Sequence, residues 1–531
     1  MTQEHSRTAR TACRTFSVPV LAAALLLGAA CGGHRAAEAP ALKHVIFFIG
    51  DGMSAASEVA ASRYLFGRDD GLAWQDLPAK AYVATWDVNV YNAHARAAGQ
   101  PSYWRSSFAP ALGYNVRADG AKPAGGPGAE HAFPPGPATD SASAATALAT
   151  GVKTESGNIA WQAGDPPDGA ITTLPEEYRA RTGAAIGVIT TVPFDHATPA
   201  GFVSHNTDRG HYYTGLKGYK GLGIGDEIIL RTKPEVVIGG GSPFLDNPGF
   251  DPKKGYISES LYRTLQNSKD YLLVERRPGQ NGGQALAAGA AEAVRQGRKL
   301  FGLFGGPGGN FETPQASDTP GHPTVRPGSP ENPTLAEATA AALDYLAHDP
   351  QGFFLMIEQG DIDWANHDND FRGMIGCVAD LDAAVRAALA FVDRPGDDID
   401  WTNTVLLVTA DHATGGLFLD PDRPLGQGDL PREQARAEER LLAPVQAGRG
   451  PHGPPNRAGI TRPDFVSPEI YPDDEVSYNT ISHTNELVDL AVKGAAAPAF
   501  MALRGTWYPG PILDNTQINA ALRRALGLPS R

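Results

Sequence analysis

The sequence predicts an α/β protein, a three-layer sandwich in which a large, mostly parallel central sheet is flanked by helices, with loop insertions. Three observations favour this class. Short, continuously apolar runs recur along the chain, and Ala-rich stretches of helical composition separate several of them. Some of the runs also end in an acidic residue. Because parallel strands are buried on both faces and are joined by helical crossovers, this alternation indicates a sheet covered on both sides.

Six apolar runs are the predicted strands of this sheet, at residues 44–50, 184–191, 234–240, 299–305, 353–360 and 404–412. Three of the runs end in acids, which are Asp51, Glu358 and Asp411. Ligands of open α/β sheets gather beyond the carboxyl ends of the strands, so these acids are site candidates. Taken singly, each acid is equally consistent with a solvated loop residue.

Composition and charge narrow the classes of function. Of the 531 residues, 42% are hydrophobic and 20% are charged, which is enough apolar material for a large core. The formal net charge is −14 and no cluster of Lys and Arg occurs, which argues against nucleic acid as a binding partner. A small anionic substrate would therefore need local positive charge, and metal ions would supply it.

The N-terminal segment predicts an export signal at residues 1–30. Three arginines precede an apolar stretch that is too short to cross a membrane. Two ways of removal are open: cleavage after a small-residue site, or lipid attachment at Cys31 in LLLGAACGG, which resembles a bacterial lipoprotein signal. We favour lipid attachment, which places the protein in the periplasm or anchors it at the outer membrane through a short tether at 31–42.

Residues 43–525 are predicted to form a single domain beyond the tether. Three stretches rich in Gly, Pro and charge are expected as insertions, near 88–138, 306–332 and 420–476. If the N-terminal cysteine carries lipid, Cys377 is the one thiol left in the mature chain. No intramolecular disulfide is then expected.

The run TDSASAATALATG (139–151) places Ser141 at the start of an Ala-rich segment that is predicted to be helical. Unpaired backbone N–H groups in a first helical turn favour an anion. A serine hydroxyl there ionises more easily, and a phosphate attached to it is held more tightly. The alternative is plain N-capping of the helix by Asp140 or Ser141, which is the commoner use of this pair.

The run IEQGDIDWANHDND (357–370) carries Asp363 and His367 four residues apart, a spacing that a helix places on one face. A carboxylate and an imidazole at this spacing suit Zn²⁺. A solvated acidic face is the alternative, and it is our interpretation of the neighbouring Asp361, Asp368 and Asp370.

Two further segments carry candidate ligands. In VTADHATGG (408–416), Asp411 and His412 emerge where a predicted buried strand ends. Adjacent residues of a strand point to opposite faces, so a turn is needed to bring them together. His483 lies in a Ser/Thr/Asn cluster ahead of another apolar stretch, and a lone histidine of this kind is more often a surface or capping residue.

Six motifs, taken in chain order, resemble those of the alkaline phosphatase family: FFIGDGMS, TDSASAATALATG, HATPAGFVSHNTDR, IEQGDIDWANH, VTADHATGG and SHTNE. The resemblance implies the fold of that family and an enzyme that hydrolyses phosphate monoesters. By this resemblance Ser141 is the nucleophile, which becomes phosphoserine and is then hydrolysed to release inorganic phosphate. Arg209 matches the arginine that grips two nonbridging phosphate oxygens, which a guanidinium can do with two parallel donors.

The resemblance also implies two Zn²⁺ ions and one Mg²⁺ ion. The ligands of one zinc match Asp363, His367 and His483, and those of the other match Asp51, Asp411 and His412. The third site matches the oxygen donors Asp51, Thr198 and Glu358, which suit Mg²⁺. The zinc beside Ser141 is expected to lower the pKa of its hydroxyl, while the other stabilises the leaving oxygen and later activates water.

Two positions depart from the best-known bacterial pattern of the family. His196 stands where that pattern has Asp, as it does in other branches, and Trp364 stands where it has Lys. Because imidazole is a softer ligand, the third site is expected to bind Mg²⁺ more weakly or to tolerate Zn²⁺. Trp364 removes a positive charge near the bound phosphate, so the product is expected to leave more readily.

Two other functions remain open. A phosphodiesterase of the same superfamily more often has Thr as its nucleophile and has less need of Arg209, whereas a sulfatase would need a modification motif that DSASAAT lacks. A lipoprotein that binds phosphate or metal without catalysis is the alternative from another class. The family often forms dimers, so a homodimer is open as well.

Overall fold

A computed structural model describes residues 42–114, 137–243, 256–432, 471, 475–478 and 480–531. The predicted export signal and Cys31 lie outside these residues, as does nearly all of the predicted tether. Cys377 is buried and forms no disulfide. No helix within the described part of the chain has both the length and the apolar character needed to cross a bilayer.

The strands, in chain order, are β1 (His44–Gly50), β2 (Ala79–Ala84), β3 (Ala185–Pro193), β4 (Val236–Gly240), β5 (Tyr271–Glu275), β6 (Lys299–Leu303), β7 (Gln315–Ser317), β8 (Thr324–Arg326), β9 (Phe353–Gln359), β10 (Thr404–Thr409), β11 (Ala413–Thr414), β12 (Leu417–Leu419), β13 (Val476–Tyr478), β14 (His483–Thr484), β15 (Val488–Gly494) and β16 (Ile512–Asp514). Ten of them form one sheet in the order β16-β2-β15-β10-β1-β9-β3-β4-β6-β5. The other six pair as three small two-stranded sheets.

The six predicted strands are β1, β3, β4, β6, β9 and β10, and they lie side by side in the sheet. All neighbouring pairs among them are parallel. Only β15 runs against the others in the ten-stranded sheet, as it is antiparallel to both β10 and β2. The predicted fold class, a large and mostly parallel sheet with flanking helices, is confirmed.

The helices are α1 (Ala55–Phe66), α2 (Val88–Ala97), α3 (Pro110–Gly113), α4 (Ser141–Thr150), α5 (Leu174–Thr182), α6 (Ala197–Val203), α7 (Ile224–Glu227), α8 (Glu259–Gln266), α9 (Gly282–Gln296), α10 (Leu335–Leu346), α11 (Asp361–His367), α12 (Phe371–Val392), α13 (Ala497–Met501) and α14 (Asn515–Ala525). Local sequence sets their ends. Helix α4 begins where the Asp140 side chain accepts a hydrogen bond from Ser143 N, and it ends at Gly151, whose φ of 74° suits a residue without a Cβ.

The core lies around the central strands. All residues of β1, β9 and β10 are buried, which explains why these runs are apolar throughout. On β1, the Phe47 ring packs against Phe202 of helix α6 and Phe354 of β9. Truncating such a fully buried ring to alanine costs about 3–5 kcal/mol of stability. The central strands therefore form a rigid base for the residues at their carboxyl ends.

The three predicted insertions are described to different extents. The first contains helices α2 and α3, and Tyr91 of α2 and Leu112 of α3 pack with Trp86 and Tyr508 in a small cluster separate from the main core. The second contains the β7–β8 hairpin. Most of the third, and residues 115–136 of the first, lie outside the described residues. The division into one domain with insertions stays a prediction.

Candidate active site

Three adjacent parallel strands bring the predicted acids together. Because β10, β1 and β9 are neighbours in register, their carboxyl ends meet at one edge of the sheet. Asp51 follows β1, Glu358 is the penultimate residue of β9, and Asp411 lies just past β10. All three carboxylates have no solvent exposure. Burial of this kind is costly for carboxylates unless positive charge is nearby.

The first candidate cluster consists of Asp363, His367 and His483. Asp363 Oδ1 lies 3.2 Å from His367 Nε2 and 3.5 Å from His483 Nε2, and the two Nε2 atoms are 3.0 Å apart. Helix α11 places the first two on one face, as the sequence predicts. Each histidine points its Nδ1 at a backbone carbonyl, that of Ile481 for His367 and that of Thr139, at 2.8 Å, for His483.

The second candidate cluster surrounds His412. Its Nε2 lies 3.3 Å from Asp411 Oδ2 and 3.5 Å from Asp51 Oδ1, and the same nitrogen is 3.3 Å from Ser141 Oγ. The turn after β10 thus brings Asp411 and His412 together although they are adjacent in sequence. The rings of His412 and His483 stack with centroids 3.7 Å apart, so the two clusters adjoin.

Burial and mutual repulsion raise the pKa values of the acids in these clusters. The pKa of Asp51 lies well above its usual value because of burial and the nearby charges of Asp411, Asp363 and Glu358. Burial and the charge of Asp363 raise the pKa of Asp411 to about 7. Neither oxygen of Asp51 accepts a hydrogen bond from a described residue. The donor set therefore fits bound cations, which would neutralise the carboxylates and satisfy these oxygens.

The third candidate site is built around Glu358. Burial raises the pKa of Glu358 to about 7, although its carboxylate accepts a hydrogen bond from Thr190. Thr190 Oγ1 donates to its Oε2 over 2.5 Å. Thr198 lies at the start of helix α6, just after His196 at the N-cap position. These buried hydroxyl and carboxylate oxygens form a hard donor set, which suits Mg²⁺.

Asp140 connects Ser141 and Arg209, because it precedes Ser141 in the chain and forms an ion pair with Arg209. Ser141 is the first residue of helix α4 and Asp140 caps it, so the predicted helix start and its N-cap are confirmed, while the role of Ser141 stays a prediction. Arg209 Nη1 donates to Asp140 Oδ2 over 3.0 Å, while its Nη2 lies 3.4 Å from His196 Nε2. Burial alone would raise the pKa of Asp140, but the Arg209 guanidinium and hydrogen bonds from Ser143 and Gly157 lower it to about 2.

The interpretation of Asp361 as a solvated acid was wrong. It is 1% exposed, and its carboxylate accepts a hydrogen bond from Asn310 Nδ2. The carboxylate of Asp370 also has a structural partner. Its Oδ1 caps helix α12 by accepting a hydrogen bond from Gly373 N over 2.9 Å. Trp364, on the same helix as Asp363, packs edge-on against the His196 ring at 6.1 Å between centroids.

Two residues that shape the site were missed from the sequence. Thr414 Oγ1 donates to Asp363 Oδ1 over 2.5 Å and lies 3.3 Å from His412 Nδ1, so it links the two clusters. Its position two residues after His412 was the available signal. Gly52 N donates to Asp411 Oδ1 over 3.1 Å, and a Cβ on Gly52 would lie 2.7 Å from Asp363 Cα. Its φ of 70° and this close approach both require glycine.

The fold and site define an α/β protein with a buried serine at a helix start, set between carboxylate and imidazole clusters of metal-binding type. Residues 130–503 match the family model of alkaline phosphatase, and the chain belongs to the alkaline phosphatase family.

Curated relatives match different shares of the chain. An alkaline phosphatase of Escherichia fergusonii is 32% identical over 54% of this chain and 60% of its own length. Alkaline phosphatase 4 of Bacillus subtilis is 31% identical over 53% of this chain and 50% of its own length. The matches thus span less than two thirds of these two relatives. Streptomycin-6-phosphate phosphatase of Streptomyces griseus is 30% identical over 77% of this chain and 82% of its own length.

Solved structures share the fold. Alkaline phosphatase of Thermus thermophilus superposes with a TM-score of 0.55 at 22% identity, covering 92% of each chain. Alkaline phosphatase of the Antarctic bacterium TAB5 superposes with a TM-score of 0.54 at 18% identity, covering 93% of this chain and 100% of the other. At these identities the likeness establishes the fold alone.

Proposed function

We propose that the protein hydrolyses phosphate monoesters through a covalent phosphoserine at Ser141 and releases inorganic phosphate. The observation that carries this proposal is the position of Ser141 Oγ, at a helix start and 3.3 Å from His412 Nε2. Membership of the alkaline phosphatase family supports the same reaction.

Helix α4 and Arg209 are the proposed phosphate-binding elements. The first turn of α4 offers backbone N–H groups and the positive end of the helix dipole to an anion at Ser141. Arg209 carries five N–H donors, so its anchor at Asp140 leaves others for two nonbridging oxygens of the phosphate. Its side chain is 21% exposed, which lets it meet a substrate that enters from solvent.

Three cations are proposed for the clusters described above. Asp363, His367 and His483 would hold one Zn²⁺, and Asp51, Asp411 and His412 would hold the other; Mg²⁺ would be held by Asp51, Thr198 and Glu358. When bound, the metal ions would supply Lewis-acid stabilisation of negative charge on the reacting oxygens.

The proposed reaction exchanges one P–O bond for another in each half. Ser141 Oγ forms a bond to phosphorus, the ester P–O bond breaks, the serine proton passes to solvent, and the alcohol leaves after taking up a proton. Water then attacks the phosphoserine, the Oγ–P bond breaks, and Oγ regains a proton. Two successive displacements give retention at phosphorus. Throughout, Arg209 and the start of helix α4 hold the phosphoryl group in one orientation.

The two departures from the common bacterial pattern are proposed to tune the site. His196 brings an imidazole to the entry of helix α6, so Mg²⁺ at the third site would bind more weakly or be replaced by Zn²⁺. Trp364 provides a neutral ring where a cation would strengthen phosphate binding, so phosphate would leave faster.

Acid-quench labelling tests the covalent step. Protein incubated with a ³²P-labelled monoester should retain acid-stable label, and Ser141→Ala should retain none. Ser260→Ala, an exposed serine on helix α8, is the matched control and should label like the unaltered protein. Persistence of label in Ser141→Ala would refute the assignment of the nucleophile.

Substrate comparison separates the remaining alternatives. A monoesterase should cleave nitrophenyl phosphate much faster than bis-nitrophenyl phosphate, and a diesterase should show the reverse preference. A phosphate-loaded protein with no turnover on either ester would favour the non-catalytic binding function. Lipid attachment at Cys31, the periplasmic or outer-membrane location and a homodimer are further proposals. Labelled palmitate incorporation lost in Cys31→Ser, and sedimentation of the purified protein, test the lipid anchor and the dimer.

A further inference from the structure

A buried histidine outside the candidate clusters is held between two carboxylates. His205 lies two residues past helix α6, and its side chain is 9% exposed. Its Nδ1 is 3.0 Å from Glu227 Oε1 and its Nε2 is 3.2 Å from Glu176 Oε2. Its backbone N–H donates to Glu227 Oε2 over 2.9 Å. Because ionised carboxylates only accept hydrogen bonds, both ring nitrogens must donate, and the ring is an imidazolium.

The two carboxylates come from different helices and are themselves fixed. Glu176 belongs to the capping box at the start of helix α5, where its Oε2 accepts from Thr173 N over 2.8 Å. Glu227, on helix α7, is 2% exposed and also accepts from Ser204 Oγ over 3.1 Å. The His205 ring therefore ties the end of α6 to both α5 and α7.

Charge reinforces this tie. Burial alone would lower the pKa of His205, but hydrogen bonds to Glu176 and Glu227 and their charges raise it to about 9. Among the described residues, Arg231 is a further charged group beside these carboxylates, and its Nη1 lies 3.3 Å from Glu227 Oε1. Two acids and one exposed arginine leave the imidazolium with compensating negative charge at neutral pH.

In the sequence, His205 lies between the end of helix α6 and Arg209. After His205 the chain forms a bridge between Asn206 and Ile159, and Arg209 N then donates to Gly157 O over 2.8 Å. Gly157 N in turn donates to Asp140 Oδ2 over 3.1 Å, the oxygen that also accepts from Arg209 Nη1. The segment that carries the guanidinium is thus fixed downstream by the 157–159 backbone and upstream by His205.

We propose that His205 is a positioning residue for Arg209: by clamping the chain between helices α5 and α7, its imidazolium sets where the guanidinium meets phosphate. This inference rests on the proposed role of Arg209 in phosphate binding. Losing the clamp should weaken the binding of phosphate more than it slows the chemical step, because Ser141 and the two clusters do not contact His205. Weaker phosphate binding with little change in kcat is therefore the expected signature.

Calorimetric titration of inorganic phosphate into the metal-loaded protein tests the proposal. At pH 8, His205→Ala should raise the Kd for phosphate about tenfold while kcat changes less than about threefold. His205→Asn, which keeps one donor toward Glu227, should lie between His205→Ala and the unaltered protein. His348→Ala, at an exposed histidine whose Nδ1 lies 2.9 Å from the backbone carbonyl of Asp344, is the matched control and should leave the Kd unchanged.

A pH series gives a readout that a general loss of stability would not produce, and it applies even if His205→Ala fails to fold. Glu176→Gln removes one of the two charges that hold the proton, so the pH above which phosphate binding weakens should fall relative to the unaltered protein. An unchanged pH profile in Glu176→Gln, or a Kd in His205→Ala equal to that of the His348→Ala control, would overturn the positioning role.

Arg209→Ala separates this inference from the proposed function. If Arg209→Ala weakens phosphate binding and the His205 variants do not, the positioning role of His205 is wrong and the proposed function stands. If Arg209→Ala leaves phosphate binding unchanged as well, the phosphate site itself is misassigned, and both fail. A loss in Arg209→Ala with a smaller loss in His205→Ala supports both.

Discussion

The imidazoles of His367 and His483 face each other through Nε2 atoms only 3.0 Å apart. Each Nδ1 must carry the ring proton, because its partner is a backbone carbonyl, which only accepts hydrogen bonds. In the neutral form of both rings, the two Nε2 atoms present lone pairs, and Asp363 Oδ1 is a third acceptor at the same place. Acceptors gathered in this way repel one another unless a cation lies among them.

Removal of metal should therefore destabilise the protein as well as inactivate it. A ligand present at 1,000 times its Kd adds about 4 kcal/mol to the stability of the folded state, so chelation should lower Tm by several degrees. Scanning calorimetry before and after chelation, and again after Zn²⁺ is restored, measures the shift. His367→Ala should show a smaller response to chelator, since it removes one ligand. Equal Tm values for chelated and zinc-loaded protein would contradict the proposed clusters.

Thr414 should strengthen metal binding through Asp363. Its hydroxyl donates to Asp363 Oδ1 over 2.5 Å at a position with no solvent exposure. Thr414→Val keeps the shape but loses this donor, and loss of such a supporting hydrogen bond costs about 10- to 100-fold in metal affinity. Competition with a chromogenic chelator measures the zinc affinity directly. Thr414→Ser retains the hydroxyl and should retain affinity, so equal losses in both variants would point to packing instead.

Asp140 should control phosphate affinity through its charge. Asn caps a helix as well as Asp does, so Asp140→Asn should leave helix α4 intact while it weakens the ion pair with Arg209. A less firmly held guanidinium should raise the inhibition constant for phosphate about tenfold. Inhibition assays at pH 8 check this, and an unchanged constant would show that Arg209 needs no anchor at Asp140.

The same ion pair predicts a pH dependence of stability. The folded pKa of Asp140, about 2, is below its ordinary value of 3.8, so the carboxylate stabilises the folded state above pH 3.8. That stabilisation is lost as pH falls through about 2. The difference in unfolding free energy between the unaltered protein and Asp140→Asn should therefore shrink between pH 4 and pH 2 in urea titrations. A difference that stays constant over this range would argue against the pair.

The centre of the fold was predictable because burial on both faces leaves an unbroken apolar run. The edges of the sheet lack that signal. Strand β2 exposes alternate residues over part of its length, and β16 has only three residues, so their pairing with each other and with β15 defines them as strands. No local pattern in these segments distinguishes a strand from a loop.

The candidate site, like the fold, has parts that could be predicted from the sequence and parts that could not. Motifs marked the candidate ligands, because each stands beside a strand end or a helix start that can be predicted locally. Contacts between residues that are far apart in the sequence could not be predicted from it. Asp140 and Arg209 are 69 residues apart, and Asp361 is buried by a hydrogen bond from Asn310, 51 residues away. These partners are set by the folded chain and have no signature of their own in the sequence.

Trp364 should set how fast phosphate leaves. It follows Asp363 on helix α11, and its ring packs against His196, which lies 3.4 Å from Arg209 Nη2. Trp364→Lys adds a cation beside the anion that Arg209 binds, so the inhibition constant for phosphate should fall about tenfold. If product release limits turnover, kcat should fall with it, because a tighter product leaves more slowly. Steady-state assays with added phosphate measure both quantities.

Trp364→Phe separates the charge from the loss of the indole ring. This variant keeps an aromatic, neutral side chain against His196, so the phosphate inhibition constant should stay near that of the unaltered protein while Trp364→Lys tightens it. Equal constants in all three proteins would mean that position 364 does not sense the phosphate. A matching change in both variants would mean that the ring contact with His196, rather than charge, controls release.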